Sequence, residues 1–268
     1  MSNLQLRIVS GIILAAIVLA LTYVGGLPFR ILSVVIGAAV FHEWTSMAGL
    51  RRDRPSFILL SALLAVILLL VLFDAAPALQ IAAAALGFAL AFAFCRFRGQ
   101  GAWGPAGLLY AGLPVVALAA LRGSDTTGLA TILFLFAVVW ATDIFAYFIG
   151  RMIGGPKLAP SISPGKTWSG AIGGAACALV AGLAVAAWAG WRVDVVMAVT
   201  ILLLSAASQC GDLFESWVKR QFGAKDSSNL IPGHGGVMDR VDGLVVAAFA
   251  LYVIGWMVSG DPSGMVGR

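Results

Sequence analysis

Nine apolar runs, each of roughly twenty residues, alternate with short polar breaks along the chain, and that is the length a helix needs to cross a hydrocarbon core. They predict membrane-spanning helices at about 8–24, 29–48, 57–73, 78–95, 106–121, 128–149, 168–191, 195–215 and 241–258. Glycine, proline and charge mark the breaks, at Gly25-Gly26-Leu27-Pro28, Arg51-Arg52-Asp53-Arg54-Pro55, Asp74 to Pro77 and Arg96 to Pro105. No small-residue cleavage pattern follows the first run, so it is expected to stay as a helix rather than leave as a signal peptide. The predicted fold class is all-α, a polytopic integral membrane protein with about nine transmembrane helices. One integral membrane domain, 1–268, is the simplest division: five spans in 1–125, and a half, 126–268, that carries the polar segments 150–167 and 208–242.

Composition supports that class. The 268 residues are 61% hydrophobic and 11% charged, with mean hydropathy +1.00, which excludes an ordinary soluble domain. The net charge of +5 is modest, but its placement orients the chain. With nine spans, the side shared with the N-terminus collects 13 Lys and Arg residues and the opposite side 4. By the positive-inside rule the N-terminus is therefore expected in the cytoplasm, together with both polar loops, 150–167 and 216–240. No basic run interleaved with aromatics suggests a nucleic-acid partner. Cys95, Cys177 and Cys210 lie in or beside apolar runs without C-x-x-C spacing, so they read as small packing residues rather than a zinc site or a disulfide framework.

The candidate chemistry sits where ionisable groups are expensive, at the edge of or within the spans. Glu43, Asp143, Asp212 and Glu215 each need a partner, water or a metal; for Glu43, between His42 and Trp44, a helix–helix hydrogen bond is as good a reading as a functional one. Helical spacing puts Trp140, Asp143, Tyr147 and Arg151 on one stripe, and a structural Asp–Tyr or Asp–Arg contact competes there with a polar cleft. Asp212, Glu215, Ser216 and Lys219 share another face, ending at Lys219-Arg220. Their oxygens suit Mg²⁺ and their cations suit phosphate, although a Glu215–Lys219 salt bridge is the plainer alternative. Pro232-Gly233 and Gly235-Gly236 allow close backbone approach to a ligand. Asp239 and Asp242 stand at the entrance of the last span, where capping alone would favour them. An Asp239–Asp212 pair would make a metal site from two helix ends, and His234 is a candidate phosphate contact or acid. Lys166-Thr167, in Ser161 to Gly170, offers a cation, a hydroxyl and free N–H groups at a helix start, but lacks the full P-loop pattern.

Taken together these segments resemble a known family. The string S-x-x-K-R-x-x-x-x-K-D-x-x-x-x-x-P-G-H-G-G-x-x-D-R-x-D, from Ser216 to Asp242, is similar to the signature of the phosphatidate cytidylyltransferases (CDP-diacylglycerol synthases). SPGKTWSG and WATDIFAYFIGRMIGG resemble the family's other shared segments, in the same order. The resemblance implies a membrane enzyme of phospholipid biosynthesis that takes CTP and phosphatidate to CDP-diacylglycerol and pyrophosphate. It implies Mg²⁺ dependence, with a second cation left open, and a homodimer; with the charge count above, the expected place is the cell membrane with the active site facing the cytoplasm. By match to the motif, Asp212 and Asp239 become the metal candidates. Ser216, Lys219 and His234 join them as catalytic candidates, and Lys166, Arg220, Lys225, Asp226, Arg240, Asp242 and Asp143 become substrate- and phosphate-binding candidates.

That implied chemistry agrees with the residues. Both substrates are anionic, and joining them requires neutralised charge more than a strong base, because a phosphate oxyanion is already nucleophilic at neutral pH. Two other classes compete. A CTP-dependent lipid-alcohol kinase would use a similar metal site but move the γ-phosphoryl group. A transporter would place its acids near the midplane of paired, interrupted helices, whereas these acids gather toward one side beside long glycine-rich loops.

Overall fold

The computed structural model describes residues 3–231 and 235–259. Each predicted span becomes one helix: α1 (Asn3–Val24), α2 (Gly26–Met47), α3 (Arg54–Leu72), α4 (Pro77–Phe97), α5 (Trp103–Arg122), α6 (Thr126–Ile153), α7 (Trp168–Trp188), α8 (Val195–Gln221) and α9 (Met238–Ser259). Eight of them, α2 to α9, are long and apolar enough to cross a membrane, and Val9–Val24 of α1 is a shorter apolar helix. The protein is a multi-pass membrane protein. Side chains at the polar breaks start the helices. Asp53, Asp125, Thr167 and Asp194 each accept a backbone N–H three residues on, at Ser56, Gly128, Gly170 and Met197.

Most helix ends fall a few residues from the predicted bounds, and three differences bear on the polar segments. The segment 150–167, expected to be loop, contains an antiparallel hairpin of β1 (Lys157–Ala159) and β2 (Ser163–Thr167), with Lys157 opposite Thr167 and Ala159 opposite Ser163. Lys166 is thus a strand residue, one position before the α7 cap. α8 runs six residues past its predicted end at 215, and α9 starts three residues before 241. In both places the helix continues into charged sequence, which apolar periodicity does not register.

The described residues form two compact units: the first 120 residues with 224–240, and 121–223 with 241 onward. The segment 224–240 therefore packs with the N-terminal unit, and the signature string is divided between the two. In the first unit the core centres on Trp44, fully buried, whose Nε1 donates to the Trp103 carbonyl at 2.8 Å while its ring lies against Tyr110. Asp53 fastens the polar edge: besides capping α3 it accepts from Arg98 at 2.7 Å and Gln100 at 2.8 Å. The Arg98 guanidinium, with hydrogen bonds from Ser56 and Gln100, holds the Asp53 carboxyl well below the usual carboxylate range.

The second unit depends on small residues. Gly170, Gly174, Ala178, Gly182 and Ala186 recur every fourth position of α7 and are all buried. That stripe lets the α6 and α7 backbones touch: a Cβ at Gly174 would lie 2.6 Å from the Thr142 carbonyl oxygen, and one at Gly170 2.6 Å from that of Ala146. Thr142 also donates to Ser205 at 2.8 Å, joining α6 to α8. A Cβ at Gly211 of α8 would lie 2.5 Å from the Asp242 carbonyl oxygen of α9.

Candidate functional site

The second unit holds a cavity of about 680 Å³, within the range of small-molecule sites. Its walls are the C-terminal half of α6, the hairpin, the start of α7 and the polar part of α8. Asp143, Tyr147 and Arg151 come from α6, Lys157 and Lys166 from the two strands, and Gln209 and Asp212 from α8. The close α6–α7 packing brings the hairpin back over these groups. Lys166 Nζ meets Asp212 Oδ2 at 2.5 Å, with about a quarter to a third of each side chain still exposed (26% and 32%). Arg151 donates to the Tyr147 hydroxyl at 3.0 Å. Thr167, the α7 cap, is hydrogen-bonded to Ser169, whose hydroxyl in turn donates to the Gly154 carbonyl. Three cations and two carboxylates on one wall set make a surface that an anion and a cation can occupy together.

Asp143, Asp212, Asp242 and Lys166 lie within electrostatic reach of one another. Asp143 and Asp212 at the cavity are hard oxygen donors, the type that Mg²⁺ takes one or two at a time. Beside them, the buried Ser208 hydroxyl has no hydrogen-bond partner among the described residues and stands against Gly243. Among the described residues no cluster of three or more His, Cys, Asp or Glu has metal-holding spacing. The donor set therefore fits an ion that takes one or two carboxylates and completes its shell with water and ligand phosphates, as Mg²⁺ commonly does.

The face expected to carry Asp212, Glu215, Ser216 and Lys219 together is divided. Ser216 points to Asp212, Oγ to Oδ1, at a long 3.4 Å. Glu215 turns inward, fully buried, and pairs with Lys219 at 2.7 Å, so the salt-bridge reading holds for that couple. Neither lines the cavity. Arg220 is exposed at the end of α8.

The first unit holds the other signature residues. Asp239, in the first turn of α9, accepts the Ser227 N–H (3.0 Å), the Ser227 hydroxyl (2.8 Å) and the Gly236 N–H (2.9 Å). Its carboxylate therefore closes the turn that leads into its own helix. Lys225, Asp226 and Arg240 are exposed around that turn. His234, with Pro232 and Gly233, lies outside the described residues. Asp212 and Asp239 belong to different units.

Sequence reasoning missed Lys157, Gln209, Ser227 and Ser228. Gln209 carried a signal, being a polar residue one helical turn before Asp212 in an apolar run. Lys157 carried none, because its place depends on the hairpin.

The chain matches the model of the cytidylyltransferase family over residues 5–258. A protein from Brucella abortus biovar 1 (strain 9-941) named phosphatidate cytidylyltransferase is 53% identical, over 95% of this chain and 94% of its own. One of the same name from Bacillus subtilis (strain 168) is 32% identical, over 95% and 98% respectively. Another, from Staphylococcus aureus (strain COL), is 47% identical over 43% of this chain and 45% of its own.

Proposed function

The chain belongs to the cytidylyltransferase family and is a nucleotidyltransferase, and from that membership we propose that it transfers the cytidylyl group of CTP to phosphatidate. An oxygen of the lipid phosphate attacks the α-phosphorus of CTP, the bond from that phosphorus to the β-phosphate bridge breaks, and pyrophosphate leaves with the electron pair. The products are CDP-diacylglycerol and pyrophosphate. The observation that carries this reading is the cavity with Arg151, Lys157 and Lys166 facing Asp143 and Asp212. The cations bind and orient phosphate oxygens, and the ammonium of Lys166, already 2.5 Å from Asp212, holds that carboxylate in place.

Mg²⁺ supplies charge neutralisation on the triphosphate when bound. Asp212 is the cavity residue proposed to hold it, with Asp143 and Asp242 within electrostatic reach. Asp239 is proposed as its other carboxylate on the strength of the signature string. His234, Ser216, Lys219, Arg220, Lys225, Asp226 and Arg240 keep their proposed roles around the phosphates on the same basis. The acyl chains stay in the bilayer, and the site is proposed to face the cytoplasm of a cell-membrane homodimer, where CTP is available.

The test supplies purified protein in detergent with phosphatidate and CTP labelled in the cytidine, with and without Mg²⁺. Metal-dependent label in the lipid, lost in Asp212→Asn and in Asp239→Asn, is the expected result. Label transferred from the γ-phosphate instead would replace this reading with a lipid kinase.

A further inference from the structure

We propose that Glu43, which lies outside the signature string, is the positioning residue that seats the signature turn of this enzyme; the inference rests on the cytidylyl-transfer reading for its purpose, though not for its geometry. Glu43 sits on α2 and is fully buried. Four donor groups stand within hydrogen-bond distance of its carboxylate, all in the segment that leads into α9. Oε1 takes the Ser228 hydroxyl at 2.5 Å and the Val237 N–H at 2.8 Å. Oε2 takes the Met238 N–H at 2.7 Å and the Ser227 hydroxyl at 3.2 Å.

Two of these donors are backbone N–H groups at the start of α9, which no intrahelical carbonyl can satisfy. A buried anion there is supported by the positive end of the helix dipole. α2 thus supplies a capping group from almost two hundred residues away in sequence. The Ser227 hydroxyl stands between Glu43 and Asp239, and a hydroxyl has one proton to give. The two carboxylates therefore grip the same turn from opposite sides, and a shift of one moves the other's donor. Gly236 completes the fit: a Cβ there would stand 2.7 Å from Glu43 Oε1 and closer still to the Ser227 hydroxyl.

Glu43 shares the Ser227 hydroxyl with Asp239, so its effect on transfer would run through Asp239 and the loop. Glu43→Gln keeps shape and volume, but whichever way the amide turns, it sets an NH₂ against a backbone N–H, that of Val237 or that of Met238. In the full-length protein without substrate, hydrogen–deuterium exchange should rise roughly tenfold or more across 224–240 and stay unchanged across α6 and α7. With substrates, kcat should fall by about tenfold or more while the KM for CTP stays within about threefold, since the loop is misplaced and the cavity is intact. The Ser227→Ala/Ser228→Ala double variant removes donors from the other side and should loosen the same segment; it serves as the readout should Glu43→Gln fail to fold. Unchanged exchange at 224–240 in the folded variant, or exchange rising equally in every helix, would overturn the proposal. A wild-type protein that transfers no cytidine would end the functional reading while leaving the exchange result standing.

Discussion

Lys166→Met should lower two measurable quantities together, kcat/KM for CTP and the Mg²⁺ concentration needed for half-maximal activity. Lys166 Nζ lies 2.5 Å from Asp212 Oδ2, and it is one of three cations facing two carboxylates in the cavity. A hydrogen bond to a charged group contributes about 1.5–3 kcal/mol, which corresponds to about 10–150-fold in a rate or binding constant. Methionine fills the space of the aliphatic stem but offers no charge, so kcat/KM for CTP should fall by that factor. The same change frees Asp212 from its ammonium partner, and the Mg²⁺ concentration for half-maximal activity should therefore drop. The assay is steady-state transfer of labelled cytidine, run as a CTP titration at saturating Mg²⁺ and an Mg²⁺ titration at saturating CTP. If kcat/KM stays within about threefold and the Mg²⁺ midpoint does not move, Lys166 has no electrostatic role at this site. A fall in kcat/KM with a rise in the Mg²⁺ midpoint would mean that Lys166 helps to place the cation rather than compete with it.

Other expectations follow from the packing and the polar edge. Gly174→Ala places a methyl 2.6 Å from the Thr142 carbonyl oxygen, and overpacking of that kind costs about 1–3 kcal/mol, so the melting temperature in detergent should fall. Gly236→Ala should reproduce the loosened 224–240 exchange of Glu43→Gln, because the added methyl displaces the Ser227 hydroxyl. Asp53 has a depressed carboxyl pKa in the folded protein, so its stabilising effect is complete above the unfolded value of about 4 and is lost as pH falls toward the folded value. Melts between pH 7 and 3 should show an acid limb that flattens in Asp53→Asn; an unchanged limb would place the acid sensitivity elsewhere.

The helices were legible because spans of about twenty apolar residues admit few alternatives to a transmembrane helix. Their ends were less so: α8 and α9 continue through Ser216 to Gln221 and from Met238, where charge replaces the apolar pattern but intrahelical hydrogen bonds persist. The hairpin was hidden because Pro160, Pro164 and Gly165 read as loop, and only the ends held by α6 and α7 bring β1 and β2 together. In the site, spacing along one helix put Asp143, Tyr147 and Arg151 on one stripe and suggested an Asp–Tyr or Asp–Arg contact, whereas Arg151 donates to the Tyr147 hydroxyl. Spacing could not separate Asp212, which lines the cavity, from Glu215, which turns inward to Lys219. Lys166 meeting Asp212, and Glu43 meeting the turn before α9, are contacts between distant segments, and a single sequence carries no period that reports them.

The grip of Glu43 on the turn also sets an order of events during biogenesis. Ser227 and Met238 follow Glu43 by 184 and 195 residues. At about 5–20 residues per second, the ribosome needs roughly 10–40 s after making α2 to supply the first donors for this carboxylate. Throughout that interval α2 carries an acid with none of its final partners, and the polar turn does not yet exist. The seating of the signature turn is therefore a late event for the nascent chain, reached only when the start of the ninth helix emerges.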